Sequence, residues 1–77
     1  MAHRCYEKLR QDLASNLKNL RKRAGLSQEQ LSVRAHVDRS YVSQLEREIG
    51  NPSLQVLATL ASTLGSDVVD LLTGQSD

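Results

Sequence analysis

The sequence predicts an all-α fold of five helices, and three observations predict it. Its 77 residues include no Phe or Trp and only two Tyr, so the core must be aliphatic, and the many Leu, Ala, Gln, Glu, Lys and Arg residues favour helix over strand. Apolar residues recur at spacings of three and four. Between the apolar runs stand residues that stop or start helices, among them Gly25, Ser27, Asp38, Ser53 and Gly65. A chain of this length makes one small domain over residues 1–77, near the lower size at which an apolar core suffices without disulfides or metal.

Leu9, Leu13, Leu17 and Leu20 recur at helical spacing from about Glu7 onward, and the run stops at Ala24-Gly25, where glycine can take the left-handed cap. This is the first helix. Ser27 with Gln30 three residues later forms a capping box, opening a second helix of about two turns that carries Leu31 and Ala35 inward. Asp38 is the N-cap candidate of a third helix with Val42 and Leu45 inward, ending near Glu46 to Glu48. The single proline, in GNPS, makes Ile49 to Pro52 a loop. Ser53 then caps a fourth helix with Leu54, Leu57, Ala58, Ala61 and Leu64 on one side, and Gly65 ends it. Ser66 or Asp67 caps a last short helix, DVVDLL, in which Val68 and Leu71 finish the core and Val69 and Leu72 face outward. Residues 73–77 read as a frayed tail.

Composition narrows the function. The lone Cys5 cannot staple the chain, and His3, Cys5 and His36 lack metal-ligand spacing, so no metal or other cofactor is expected. The N-terminal MAHRCYEKLRQDL has no apolar leader segment and no run is long enough to cross a bilayer, so a cytoplasmic location without a membrane partner is expected. No nucleophile elbow, acid/base constellation or glycine-rich phosphate loop occurs, which argues against an enzyme. The net charge is only +1, unlike a strongly basic nucleic-acid binder, but its distribution is uneven. Residues 1–25 carry seven Lys/Arg against two acids, a net +5, residues 26–49 a net −1, and the remainder a net −3.

The stretch VDRSYVSQLER, Val37 to Arg47, divides by chemistry. Val37, Val42 and Leu45 suit a core, whereas Arg39, Ser40, Ser43 and Gln44 offer a guanidinium, two short hydroxyls and an amide where an ordinary solvated face carries Glu and Lys. That is hydrogen-bonding equipment aimed at a partner. Two short helices joined by a tight turn, the second presenting polar side chains, are the signature of a helix-turn-helix over about residues 27–47. The B-DNA major groove, roughly 12 Å wide, admits one helix, which another must hold proud of the surface. Small or aliphatic residues at Leu31, Ser32, Ala35, Val37, Val42 and Leu45 allow that close crossing.

SQEQLSVRAHVDRSYVSQLER followed by NPSLQVLATLASTLG resembles the Cro/repressor-type, or XRE-like, helix-turn-helix family, which includes phage repressors and restriction-modification controller proteins. The resemblance covers roughly residues 13 to 72. It implies a lambda-repressor-like five-helix domain and a sequence-specific transcriptional regulator of double-stranded DNA, with the recognition helix at about residues 38–47. Arg39, Ser40 and Gln44 match positions from which the family reads base edges, Arg being suited to guanine and Gln to adenine, though Arg39 at the first turn could take a phosphate instead. Gln28 matches a position that contacts the DNA backbone, its alternative being a solvated first-turn residue. Ser43 and Tyr41 could donate hydroxyls to phosphate, or Tyr41 could cover the junction between the second and third helices. Arg47 could contact the backbone or complement the helix dipole. Asn51 lies in a loop that in relatives meets phosphate.

The resemblance also implies a partly buried Arg21–Glu46 pair with a structural role. Lys18, Lys22 and Arg23 read as the solvated face of the first helix. Two departures stand out. His36 occupies the turn where relatives use Gly for positive φ, a conformation His tolerates, and Glu48 places an acid near the expected phosphate path. In the family the last helix often forms the dimer interface, which points to a homodimer through Val69 and Leu72 on a palindromic operator. The alternative is a loosely packed last helix, or an antitoxin-like module that masks a toxin with it. A polymerase contact is the other expected protein partnership.

Overall fold

The structure, a computed structural model, describes residues 4–74. Five helices occupy that span: α1 (Tyr6–Arg23), α2 (Gln28–Ala35), α3 (Arg39–Glu46), α4 (Leu54–Thr63) and α5 (Val68–Leu72). His3 and the last three residues of the expected tail lie outside it.

Local chemistry sets most helix starts. The Ser27 hydroxyl accepts from the Gln30 amide at 3.0 Å and the Gln30 side chain accepts from the Ser27 amide at 2.8 Å, closing the capping box of α2. Ser53 accepts from Val56 N–H at 3.1 Å to open α4. At α5 the cap is Asp67, whose carboxylate accepts from Val69 N–H at 3.1 Å while Asp70 accepts from Asp67 N–H at 2.9 Å. Asp38 departs from expectation: it holds the N-cap position of α3, but its carboxylate makes no capping bond. Its carbonyl, accepting from Tyr41 and Val42, starts that helix instead.

The ends of α1 to α4 follow one scheme. The amides of Leu26, Val37, Ile49 and Ser66 reach back to the carbonyls of Arg21, Ser32, Gln44 and Ala61 at 3.1, 3.0, 2.8 and 2.8 Å, each around a left-handed residue. Glycine fills that place after α1 and α4, at Gly25 (φ 73) and Gly65 (φ 69). After α2 and α3 it is His36 (φ 58) and Glu48 (φ 64), where a side chain makes the conformation strained.

The core joins Leu13 and Leu17 of α1 to Leu31 of α2, Val42 and Leu45 of α3, Leu57 and Leu60 of α4 and Leu71 of α5. Helix α1 packs on α3 and α5, α2 lies on α3 and α4, and α4 meets α5. Ser32 and Ala35 are buried where α2 crosses its neighbours, and the Ser32 hydroxyl is satisfied by the Glu29 carbonyl at 2.7 Å. Small side chains there let α3 stand close.

Three expectations need correction. Leu54 is 71% exposed and Ala58 is exposed, because the inward row of α4 runs through Leu57, Leu60, Ala61 and Leu64, leaving the first turn beyond the core. Leu72 does not face outward but is half-buried against the core, whereas Val69 is 67% exposed. Thr73 is not frayed: its hydroxyl donates to Val69 O at 2.6 Å and its carbonyl accepts from Asn16 at 2.8 Å.

Asp12 is a feature the sequence reading missed. It is fully buried on α1, with Arg4 at 2.7 Å and Lys8 at 3.2 Å. One turn later, Asn16 donates to Leu71 O at 2.9 Å, so a polar stripe of α1 fastens the end of α5.

Candidate nucleic-acid interface

Helix α3 is two-sided by residue type and by burial. Val42, Leu45 and Glu46 are buried. Arg39, Ser40, Gln44 and Arg47 are exposed and Ser43 is half-exposed, and the i,i+4 spacings of 39, 43 and 47 and of 40 and 44 set them along one face. The structure therefore brings together every residue expected to read bases, with Ser43 and Arg47 beside them. Tyr41 packs partly against the core. Asn51 lies exposed in the loop after α3, and that loop is tied to α1 by the Tyr6 hydroxyl, which donates to Gly50 O at 3.4 Å.

Behind this face lies a network linking three helices or their ends. Arg21 donates through Nε to Glu46 Oε2 at 2.6 Å and through Nη2 to Oε1 at 3.0 Å. Its Nη1 donates to Leu26 O at 2.8 Å, so the same guanidinium fastens the α1–α2 turn. The paired geometry matches the planar fork to the carboxylate and fixes α3 against α1.

Gln28 is the third member. Its Nε2 donates to Glu46 Oε1 at 3.1 Å, so the residue expected either to touch the DNA backbone or to stand solvated in the first turn closes the buried network. Burial pushes the Glu46 carboxyl up, but the hydrogen bonds from Arg21 and Gln28 and the charges of Arg21 and Lys18 outweigh it and hold the group below the usual carboxylate range. The hydrogen bond to Glu46 raises the Arg21 guanidinium against the opposing effect of burial.

A surface ion pair was also missed: Arg39 Nη1 lies 3.7 Å from Glu29 Oε1, joining the first turns of α2 and α3. Sequence spacing gives no signal for it, since the residues become neighbours only when the two helices cross. Glu48 lines a shallow cleft with Ser15, Lys18 and Asn19 of α1, on the flank of α3.

The model of the family described as helix-turn-helix matches residues 17–71, most of the described chain. The chain belongs to this helix-turn-helix family of DNA-binding transcriptional regulators. Within the family it is 44% identical over 62 residues to the HTH-type transcriptional regulator DdrOP3 of Deinococcus deserti, covering 80% of this chain and 48% of that protein. It thus spans about half the length of that relative. It is 37% identical over 71 residues to the control protein C.SmaI of Serratia marcescens, covering 92% of this chain and 84% of the other. Among solved structures of the family, the biofilm master regulator SinR in complex with DNA superposes with a TM-score of 0.74 at 36% identity, covering 78% of this chain and 97% of that one.

Among the described residues, no helix is long and apolar enough to cross a membrane and no cluster of His, Cys, Asp or Glu is disposed to hold a metal ion.

Proposed function

We propose that the protein binds a palindromic operator as a homodimer, laying α3 in the major groove. The observation that carries this reading is the outward face of α3, where Arg39, Ser40, Ser43, Gln44 and Arg47 offer donors and acceptors with no acid among them, over a buried apolar row. Arg39, Ser40 and Gln44 read base edges. Gln28, Tyr41, Ser43, Arg47 and Asn51 meet the sugar-phosphate backbone and set the register. Val69, exposed on α5, contributes to the dimer contact, with half-buried Leu72 supporting it from beneath. Two-fold pairing then spaces the recognition helices by about 34 Å, one turn of DNA.

The reading is tested by selecting sites from a random duplex pool with the full chain. It expects one enriched site with two inverted half-sites whose centres lie about one helical turn apart. With Arg47 as the cationic phosphate contact of each protomer, the salt dependence of log affinity has a slope of about −2, shallow for a specific DNA binder. Failure to enrich any site, together with DNA left unshifted by saturating protein at low salt, overturns the proposal.

A further inference from the structure

The surface pair between Glu29 and Arg39 is unexplained by the scaffold, since it lies outside the core and joins two exposed side chains. Its position is informative. Arg39 is the first residue of α3, where the helix dipole disfavours a cation, and no acid occupies the first turn of that helix. Asp38, at the N-cap, is the acid nearest to it in sequence, but its carboxylate makes no capping bond. Glu29 sits in the first turn of α2, where the dipole favours an anion, and its carboxylate reaches across to the Arg39 guanidinium at 3.7 Å. Glu29 thus adds an acid at the α3 start from the start of α2.

We propose that Glu29 is a specificity-determining residue that acts through Arg39. The inference rests on the assignment of Arg39 to base reading. A guanidinium presents five donors in a rigid fork, and with Nη1 3.7 Å from the carboxylate, an ion pair longer than a hydrogen bond, the other edge stays available for a bidentate contact with guanine while the carboxylate biases where the side chain rests. The same carboxylate repels phosphate, so it disfavours the alternative in which Arg39 turns to the DNA backbone. Glu29 thereby converts a cation usable on any sequence into one that binds well only where a base edge completes its contacts. Such an acid costs general affinity and adds selectivity.

The test compares wild type, Glu29→Gln, Arg39→Ala and the double variant in random-pool selection, followed by binding to the selected site and to each single-base change in it. Glu29→Gln removes the charge and keeps the side chain's length at an exposed position, so folding is not at issue. The expected result is a loss of preference by about fivefold or more at the symmetric pair of positions that Arg39→Ala also affects, with binding to unrelated DNA unchanged or tighter and no further loss in the double variant. Uniformly tighter binding of Glu29→Gln to every sequence overturns the proposal, because Glu29 would then act only as a repulsive charge. A loss of preference at positions untouched by Arg39→Ala overturns it as well. Should Arg39→Ala itself leave every preference intact, the base-reading role of Arg39 fails, and the role of Glu29 falls with it.

Discussion

Replacing Arg21 with Met leaves the Glu46 carboxylate buried with Gln28 as its remaining direct donor. The side chains of Arg21 and Glu46 are only 11% and 2% exposed, so solvent screens the pair weakly and the loss belongs to the buried class, about 3 to 5 kcal/mol. A domain of 77 residues is stable by about 4 to 12 kcal/mol, so this one change removes a large fraction of the total. With a urea m-value near the lower end for small proteins, about 1 kcal/mol per molar, the unfolding midpoint followed by helical circular dichroism falls by about 3 M or more. The pH dependence gives a second readout. In the wild type Glu46 titrates below its unfolded value, so its stabilising contribution is present above about pH 4.3 and is lost as pH falls through the lower folded value. Without Arg21 two of the effects that lower the carboxyl are gone and the desolvation that pushes it up is less opposed, so the variant loses less stability than the wild type as pH falls through that region. The gap between the proteins therefore narrows from pH 7 towards pH 3. Arg21→Met with Glu46→Leu removes the orphaned charge and recovers most of the loss. A midpoint shift under about 0.5 M at pH 7, or a gap independent of pH, refutes this account of the network.

Glu48→Gly relieves a left-handed side-chain cost of about 1 to 2 kcal/mol against a glycine entropy cost of about 0.5 to 1, so thermal unfolding moves up by several degrees. Removing that acid from the flank of the recognition helix also tightens DNA binding, measured by titration at fixed salt. Gln44→Ala relaxes preference at one operator position, whereas Gln28→Ala weakens binding to all sequences and lowers stability by about 1 kcal/mol through its lost bond to Glu46. Equal effects of both on preference contradict the division between reading and anchoring. For the dimer, Val69→Glu is the clean probe, because Leu72 also packs on the core; an unchanged dimer mass in sedimentation removes α5 from the interface.

The parts legible in the sequence are those decided within a few residues. Ser27 and Ser53 cap the helices they precede because the capping geometry is local, and the polar row of α3 is visible because its members recur at i,i+4. Where two elements must first be docked, sequence reading loses its grip. Leu54 and Leu57 are the same residue type in the same helix, and only the seating of α4 decides that one is exposed and the other buried. Nothing at Asp12 announces burial, since Arg4 reaches it from eight residues away. The bond from Gln28 to Glu46 spans eighteen positions, and its amide could have faced solvent equally well by local criteria. Glu48 fails for another reason: Glu carries no preference for positive φ, and the backbone bonds of the α3 terminus impose that conformation.

The distribution of strain has a pattern that bears on function. The left-handed positions after α1 and α4 are glycines, which adopt the conformation at no steric cost, while those on either side of α3 are His36 and Glu48. Non-glycine residues held in that region persist only where their surroundings over-determine them. Those surroundings are visible: before α3, Val37 N–H is held by Ser32 O at 3.0 Å, and after it, Ile49 N–H by Gln44 O at 2.8 Å. Between these ends Arg21 grips Glu46 from behind, so α3 is fixed at its start, its finish and its buried side. On the proposed reading of α3, fixing all three aligns the outward side chains before DNA arrives and reduces the ordering cost that binding must meet. Strain at both ends, tolerated because the helix is held so firmly, is what separates α3 from α1 and α4, which end on relaxed glycines.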